Sequence, residues 1–140
     1  MYQSSTYCRL EEFRDILESI LRRHSSQPVV LVTVPDVARW AVEVNMGVYG
    51  NPIATAILAT DEMPAHIAVR SEISKDEAES VLGLLEWCGY SEEVRLFRSN
   101  PVRFAMHLVL HELAHIENEW GQAREHDCDK WAFERLPGAI

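Results

Sequence analysis

Two histidines and a glutamate lie within five residues of each other, in the run His111-Glu112-Leu113-Ala114-His115. On an α-helix, residues four apart lie on the same face, so both imidazoles would point in one direction. Two nitrogen ligands on one face suit a tetrahedral zinc ion. Glu112 follows the first histidine directly and would reach a water molecule at the ion and act as its base. The pattern H-E-x-x-H therefore predicts a Zn²⁺ site with His111 and His115 as ligands and Glu112 as the catalytic residue.

The segment around this pattern is predicted to be a largely apolar helix, from Phe104 to Trp120. Asn100 can cap its N-terminus, and Pro101 suits the first helical position. Gly121 provides a natural C-terminal stop. Histidines buried on such a helix need polar partners, and a metal ion would be one.

A second helix is predicted from Gln122 to Leu136, and it carries the candidates for a third metal ligand. Glu125 lies in its first turn, and a short turn at Gly121 would fold this helix back beside the first. The Glu125 carboxylate could then reach the metal. His126 and Asp129 are alternatives, although Asp129, one turn away, is better placed to orient a ligand histidine.

Other ligand arrangements fit the sequence less well. A metzincin site, H-E-x-x-H-x-x-G-x-x-H, would need a glycine at Asn118 and a histidine at Gly121. Glu117 and Glu119 are too close to the second histidine, in the same helix, to turn back onto the metal. Peptide deformylases use an upstream cysteine, but Cys88 lacks the glycine-rich motif of that family and is predicted to end a helix.

A third histidine, His107, precedes His111 by one helical turn. It cannot share an ion with His115, because ligands eight residues apart on a helix are separated by about 12 Å along its axis. His107 is therefore predicted to support a ligand or to be a buried histidine with a polar partner.

The run from His111 to Leu136 resembles the gluzincins, and most closely the ImmA/IrrE type of small metallopeptidase. In that family H-E-x-x-H is followed by a helix of the form E-x-x-A-x-x-F-A, which here reads Glu125-x-x-Cys128-x-x-Trp131-Ala132. Cysteine replaces the small alanine, and tryptophan replaces phenylalanine. The resemblance implies that Glu125 is the third zinc ligand, beside His111 and His115.

The same resemblance implies a fold and an activity. The fold would be α+β, with a compact zincin-like core in which a small, mostly antiparallel sheet packs on the H-E-x-x-H helix. The activity would be that of a zinc-dependent endopeptidase acting on a specific protein or peptide. The family often cuts regulatory proteins such as transcriptional repressors, which would here be a separate partner, since this chain shows no DNA-reading domain of its own.

Length and composition predict one domain over residues 1–140 of a cytoplasmic protein, and the resemblance implies that this domain is metallopeptidase-like. The net charge of -9 argues against direct nucleic-acid binding. No apolar run reaches the roughly 20 residues of a membrane span, and the N-terminus does not look like a signal peptide. Cys8, Cys88 and Cys128 form no C-x-x-C pair and are interpreted as small buried residues. Cys128 is expected to pack between the two site helices.

The remaining chain is predicted to supply a helix, three or four strands and a further helix. The first helix, Leu10 to Arg23, has an apolar stripe. The predicted strands are Val29–Val34, Trp40–Met46, Ile53–Thr60 and His66–Arg70, the second and third of them forming a hairpin around a turn at 47–52. Either of the last two strands could be the edge that pairs with an extended substrate.

A capping box from Ser74 to Glu77 should open the next helix, which runs to about Cys88 and stops at Gly89. The stretch from Ser91 to Ser99 is interpreted as a charged connector that leads to the H-E-x-x-H helix.

Two other functions are compatible with the same residues. One is a non-catalytic protein-binding module with a zinc site, although such a site would not need Glu112. The other is a zinc hydrolase of small amides. If the protein is a hydrolase, a second group should stabilise the oxyanion, and Tyr49, Tyr90, His66 and His107 are the candidates.

Overall fold

The computed structural model describes residues 5–44 and 52–137, and this part of the chain contains five strands and six α-helices. The strands are β1 (Thr6–Arg9), β2 (Val29–Val34), β3 (Ala54–Ile57), β4 (Ala65–Arg70) and β5 (Glu72–Ser74). The helices are α1 (Arg14–His24), α2 (Val37–Glu43), α3 (Lys75–Trp87), α4 (Ser91–Ser99), α5 (Pro101–Asn118) and α6 (Glu125–Arg135). Short 3-10 helices at Leu10–Phe13 and Gln122–Arg124 precede α1 and α6.

The strands form two small sheets. In the three-stranded sheet, of order β2-β4-β3, the central strand β4 is parallel to β2 and antiparallel to β3. The other sheet pairs β1 with β5 in antiparallel fashion. The prediction of an α+β fold is thus confirmed, and two of the three pairings are antiparallel.

Helix α5, which carries the H-E-x-x-H pattern, packs on the sheet through β3 and β4 and also contacts α1, α4 and α6. Leu110 and Leu113 are fully buried, as are Ile67 and Val69 of β4. Burying one such side chain contributes about 1.5–3 kcal/mol. A helix that is apolar on most of its surface is buried on most sides, so the histidines of α5 project from a rigid backbone.

The start of α5 is as predicted, but its end is not. Asn100 caps the helix by accepting a hydrogen bond from the Arg103 amide, and Pro101 follows at the first position. The helix ends at Asn118, before the predicted stop at Gly121, because Glu119 adopts a left-handed conformation with φ of 51°. This early end turns the next residues back over the last turn.

The predicted strand from Trp40 to Met46 is wrong, since Val37–Glu43 forms helix α2 and residues 45 and 46 lie outside the described ranges. Asp36 caps this helix by accepting a hydrogen bond from the Arg39 amide at 3.1 Å. The helix buries Val37 and Ala41, which are four residues apart, and this spacing prevails over the alternation of apolar residues.

Because this segment is helical, the predicted hairpin with Ile53–Thr60 is also wrong. The strand there is shorter, Ala54–Ile57, and it pairs with β4. Residues 45–51, including Tyr49 and most of the predicted turn, lie outside the described residues.

The stretch from Ser91 to Ser99 is helix α4 and not a connector. Its buried residues Val94 and Phe97 are three apart and anchor one face, while the charged residues lie on the other. Strands β1 and β5 were not predicted. The capping box before α3 is confirmed, since the Ser74 hydroxyl accepts from the Glu77 amide and the Glu77 carboxylate from the Ser74 amide.

None of the helices within the described ranges is long and apolar enough to cross a membrane.

Candidate metal centre

Three side chains of α6 face the histidines of α5. They are Glu125 and the residues three and four positions after it, Cys128 and Asp129, and this spacing places them on one side of the helix. The two helices pack against each other, α6 following the turn after α5. The site is therefore built from two neighbouring helices and the turn that joins them.

Glu125 bridges the two histidines of the H-E-x-x-H pattern. Its Oε2 lies 2.7 Å from His111 Nε2, and its Oε1 lies 2.9 Å from His115 Nε2. The structure thus brings together the three residues predicted as metal ligands. It does so because α6 starts at Glu125 itself, immediately after the short turn.

The opposite nitrogen of each ring donates a hydrogen bond to a fixed acceptor. His111 Nδ1 donates to Asp129 Oδ1, and His115 Nδ1 donates to the main-chain carbonyl of Trp120, both at 2.7 Å. These bonds determine the tautomer, because Nδ1 must carry hydrogen in both rings. In a neutral ring Nε2 then presents a lone pair, which is the form that binds metals.

The lone pairs on the two Nε2 atoms would face the oxygens of Glu125, which are also acceptors. Acceptors cannot remain in contact at these distances unless positive charge lies between them, supplied by extra protons or by a cation. Without a metal ion, a proton on each ring would supply that charge. The arrangement therefore demands positive charge at the point where the three predicted ligands meet.

The pKa values of the two histidines and of Glu125 are shifted in the directions that favour positive charge on the rings and negative charge on the carboxylate. Burial disfavours a charged His111, but hydrogen bonds with Asp129 and Glu125 outweigh it and raise the pKa of His111. Contacts with the Cys128 thiol and the Glu125 carboxylate raise the pKa of His115 to about 10. In return, hydrogen bonds from His111 and His115 lower the pKa of Glu125 to about 2.

Glu112, the predicted catalytic residue, lies beside both histidines, and its charge interacts with theirs. It is only 8 % exposed. Burial raises the pKa of Glu112. A carboxylate with a raised pKa is suited to accept and return a proton.

His107 lies behind the first histidine, as predicted, and does not reach Glu125. Its Nε2 donates to Asp129 Oδ1 at 3.1 Å, the oxygen that also accepts from His111. The His107 ring is buried beside those of Phe97 and Phe133. This burial removes water from the ring and lowers the pKa of His107. Nδ1 of His107 has no hydrogen-bond partner within the described chain, as expected of a neutral ring that uses its one hydrogen on Asp129.

Cys128 is the member of the site that the prediction placed correctly but gave no role. Its Sγ lies within 4.8 Å of a ring nitrogen of His111 and a ring nitrogen of His115. A ring nitrogen of His107, one of His111 and a carboxylate oxygen of Asp129 form a second such group. The spacing of Cys128 from Glu125 was the available signal, because residues three apart share a helix face.

The other candidate ligands lie elsewhere. His126 is exposed, with its ring beside that of Tyr90 at 6.4 Å between centroids. Cys88 is exposed at the end of α3, so the prediction that it is buried is wrong, whereas Cys8 and Cys128 are buried as predicted. Glu117 accepts a hydrogen bond from the Ser26 amide at 2.8 Å, so it binds the loop after α1.

The candidates for oxyanion stabilisation lie in different surroundings. Tyr90 stacks on Phe133, with 4.3 Å between the ring centroids. Burial, and after it the charge of Asp129, raises the pKa of Tyr90. His66 donates to the carbonyl of Pro64 and lies beside Trp40. Tyr49 is outside the described residues.

A cavity of about 590 Å³ lies at the other end of α5, between α1 and α4. Arg23, Arg103 and Met106 are among its lining residues, which include none of the residues around Glu125. The cavity is therefore not part of the candidate metal centre.

No protein-family model matches the chain, and no curated protein or solved structure was found to be significantly similar to it.

Proposed function

We propose that the protein is a zinc-dependent endopeptidase, with His111, His115 and Glu125 as the metal ligands. The observation that carries this proposal is the meeting of two Nε2 atoms with the two Glu125 oxygens, an arrangement that requires positive charge. Two imidazoles and one carboxylate are a donor set of catalytic zinc sites. The residues of this chain therefore fit the metal.

Two supports hold the ligand rings in the orientation that binding needs. Asp129 and the Trp120 carbonyl accept from the Nδ1 atoms, so both Nε2 atoms are directed at Glu125. Supports of this kind fix the tautomer and raise the basicity of the ligand. His107 in turn restrains Asp129.

When bound, zinc would polarise the scissile carbonyl and lower the pKa of a water molecule. Glu112 supplies the proton transfers of the reaction. It takes a proton from the attacking water and returns it to the leaving amine, and its raised pKa suits both steps. Its burial keeps bulk water from competing for that proton.

The substrate that we propose is an extended segment of a specific protein, such as a transcriptional repressor. Of the two predicted edge strands, His66–Arg70 belongs to the central strand β4, whereas β3 has β4 on one side and no described strand on the other. β3 also packs against α5. An extended peptide could add to this edge through main-chain hydrogen bonds.

The test compares zinc-loaded wild type with Glu112→Gln on a library of unstructured peptides, with products identified by mass spectrometry. Glu112→Gln should bind one zinc ion and fold normally, while its cleavage rate falls by roughly 10²- to 10⁴-fold. Glu117→Gln is the matched control, because Glu117 lies on the same helix but bonds the Ser26 loop. Cleavage by Glu112→Gln at the wild-type rate would exclude the mechanism.

A second candidate function is a non-catalytic module for binding proteins, stabilised by zinc. The proximity of Cys128 to both histidines favours it, because structural zinc sites use four protein ligands. Zinc binding without cleavage of any peptide of the library, by wild type and by Cys128→Ala alike, would support this function.

A further inference from the structure

Cys128 supplies a donor type that the proposed ligand set does not use. Its side chain is fully buried, and its Sγ is within 4.8 Å of a ring nitrogen of His111 and of His115. Thiolate sulfur binds zinc as readily as imidazole nitrogen does.

A second observation also points to a cation at this place. Glu112 is 8 % exposed, and its charge interacts with those of both histidines. A buried carboxylate is costly unless a positive charge is near. Glu112 and Cys128 thus present their side chains to the same pair of rings.

We propose that Cys128 is a fourth protein ligand of the zinc ion, with His111, His115 and Glu125. This inference rests on the metal site proposed above and concerns its regulation. When zinc binds, the Cys128 thiol would lose its proton to solvent, and the thiolate would occupy the position that a catalytic zinc site keeps for water. The four-ligand form would therefore be latent as a peptidase.

For the latent form to become active, one protein ligand must leave the metal, and Glu125 is the ligand best placed to do so. Its side chain is 54 % exposed and lies at the start of α6, next to a 3-10 turn, whereas Cys128 is fully buried. An incoming substrate carbonyl can reach the position of Glu125 from solvent. His111, His115 and Cys128 would then hold the metal.

The test uses cobalt(II) in place of zinc, because a thiolate ligand gives a sulfur-to-cobalt charge-transfer absorption in the near ultraviolet. Wild type with one bound cobalt should show this band. Cys88→Ser, which removes an exposed cysteine, should retain it. Cys128→Ala should still bind cobalt and lose the band, and Glu125→Ala should keep it.

Wild type that binds one cobalt ion without the band overturns the role of Cys128 and leaves the proposed peptidase intact. That result needs no variant, so a folding defect in Cys128→Ala cannot obscure it. Cys128→Ser offers a second variant of similar size, and retention of the band there would also overturn the proposal. Wild type that binds neither cobalt nor zinc would overturn this proposal and the proposed function together.

Peptide cleavage separates the two proposals further. Cys128→Ala should cleave the peptide library faster than wild type, since its fourth position is open. The band in wild type together with no cleavage by either protein would establish the sulfur ligand and refute the peptidase. Slower cleavage by a folded, zinc-loaded Cys128→Ala would refute the latent four-ligand form.

Discussion

Two clusters of ionisable side chains lie at helix pairs of this molecule, and they differ in what they need. Between α3 and α4, Arg98 donates to both oxygens of Glu79 at 3.1 Å and also to Glu86. Between α5 and α6, Glu125 and Asp129 bind the rings of three histidines. In the first cluster the positive charge is the permanent one of the guanidinium, so these contacts need no added proton or cation.

Apart from Glu125, whose side chain is 54 % exposed, the cluster at α5 and α6 is largely buried, and its positive charge must come from protons on the histidines or from a cation. The side chain of His111 is 11 % exposed and that of Asp129 19 %, against 43 % for Arg98. Water screens the exposed cluster, so its contacts contribute little to stability. In the buried one, each acceptor that lacks a proton has a large cost. The comparison shows that a count of ion pairs does not reveal which cluster would bind a cation.

The largest difference between the clusters should appear when zinc is supplied. At zinc about a thousandfold above its dissociation constant, wild type should gain on the order of 10 °C in Tm, because the ion binds only the folded chain. Arg98→Ala should gain as much, and His111→Ala should gain nothing. Circular dichroism melts with and without zinc measure this. An unchanged wild-type Tm, or an equal gain in His111→Ala, would contradict it.

The next effect concerns Asp129, which holds His111. Asp129→Ala should weaken zinc binding by roughly 10- to 100-fold, as loss of a partner behind a ligand histidine does. Competition with a chromophoric chelator measures the dissociation constant. Asp127→Ala is the control, because Asp127 lies on the same helix but pairs with Arg124. Equal affinities of the two variants would show that Asp129 does not orient the ligand.

A smaller effect is the pH dependence of the metal-free protein. The pKa of His115 rises from 6.5 to about 10 on folding, so its contribution is complete below pH 6.5 and is lost as pH rises towards about 10. The pKa of Glu125 falls from 4.5 to about 2, so its contribution is complete above pH 4.5 and is lost as pH falls towards about 2. Both are complete only between about 4.5 and 6.5.

Wild type and Glu125→Gln should therefore differ most in metal-free stability within that window, and less above it. Zinc binding should show the opposite trend, because the ion competes with protons for the histidines and gains affinity as pH rises. Urea unfolding of both proteins, with chelator and with zinc, measures the two trends. A stability difference that stays constant up to about pH 10 would show that protons do not bridge Glu125 and the histidines.

The smallest effect should come from the exposed cluster. Arg98→Ala should lower Tm by about one or two degrees, and the loss should shrink at high salt because screening already weakens these contacts. Arg95→Ala, which removes the exposed pair with Glu92, should behave alike. A loss in Arg98→Ala as large as the zinc effect would mean that the two clusters do not differ as described.

Local patterns in the sequence predicted much of the fold around the site. Asn100 and Ser74 cap their helices through hydrogen bonds to amides three residues away, so these helix starts depend on neighbouring residues alone. The segment from Trp40 was predicted wrongly, because its apolar residues fit both the two-residue period of a strand and the 3.6-residue period of a helix. The helix forms because it buries Val37 and Ala41, and burial depends on contacts with distant parts of the chain.

By itself, the sequence determined that His111 and His115 share a helix face with Glu112 between them, because helix periodicity is a local property. It also restricted the third ligand to a few residues of the following helix. Only the tertiary structure decided that Glu125, and not His126, meets both rings, that the Trp120 carbonyl accepts from His115, and that the Cys128 sulfur lies within 4.8 Å of a nitrogen of each ring. These contacts depend on the exact place and direction of the turn, which begins at Glu119 and not at the predicted Gly121, and on the distances between side chains of two packed helices, which helix periodicity does not determine.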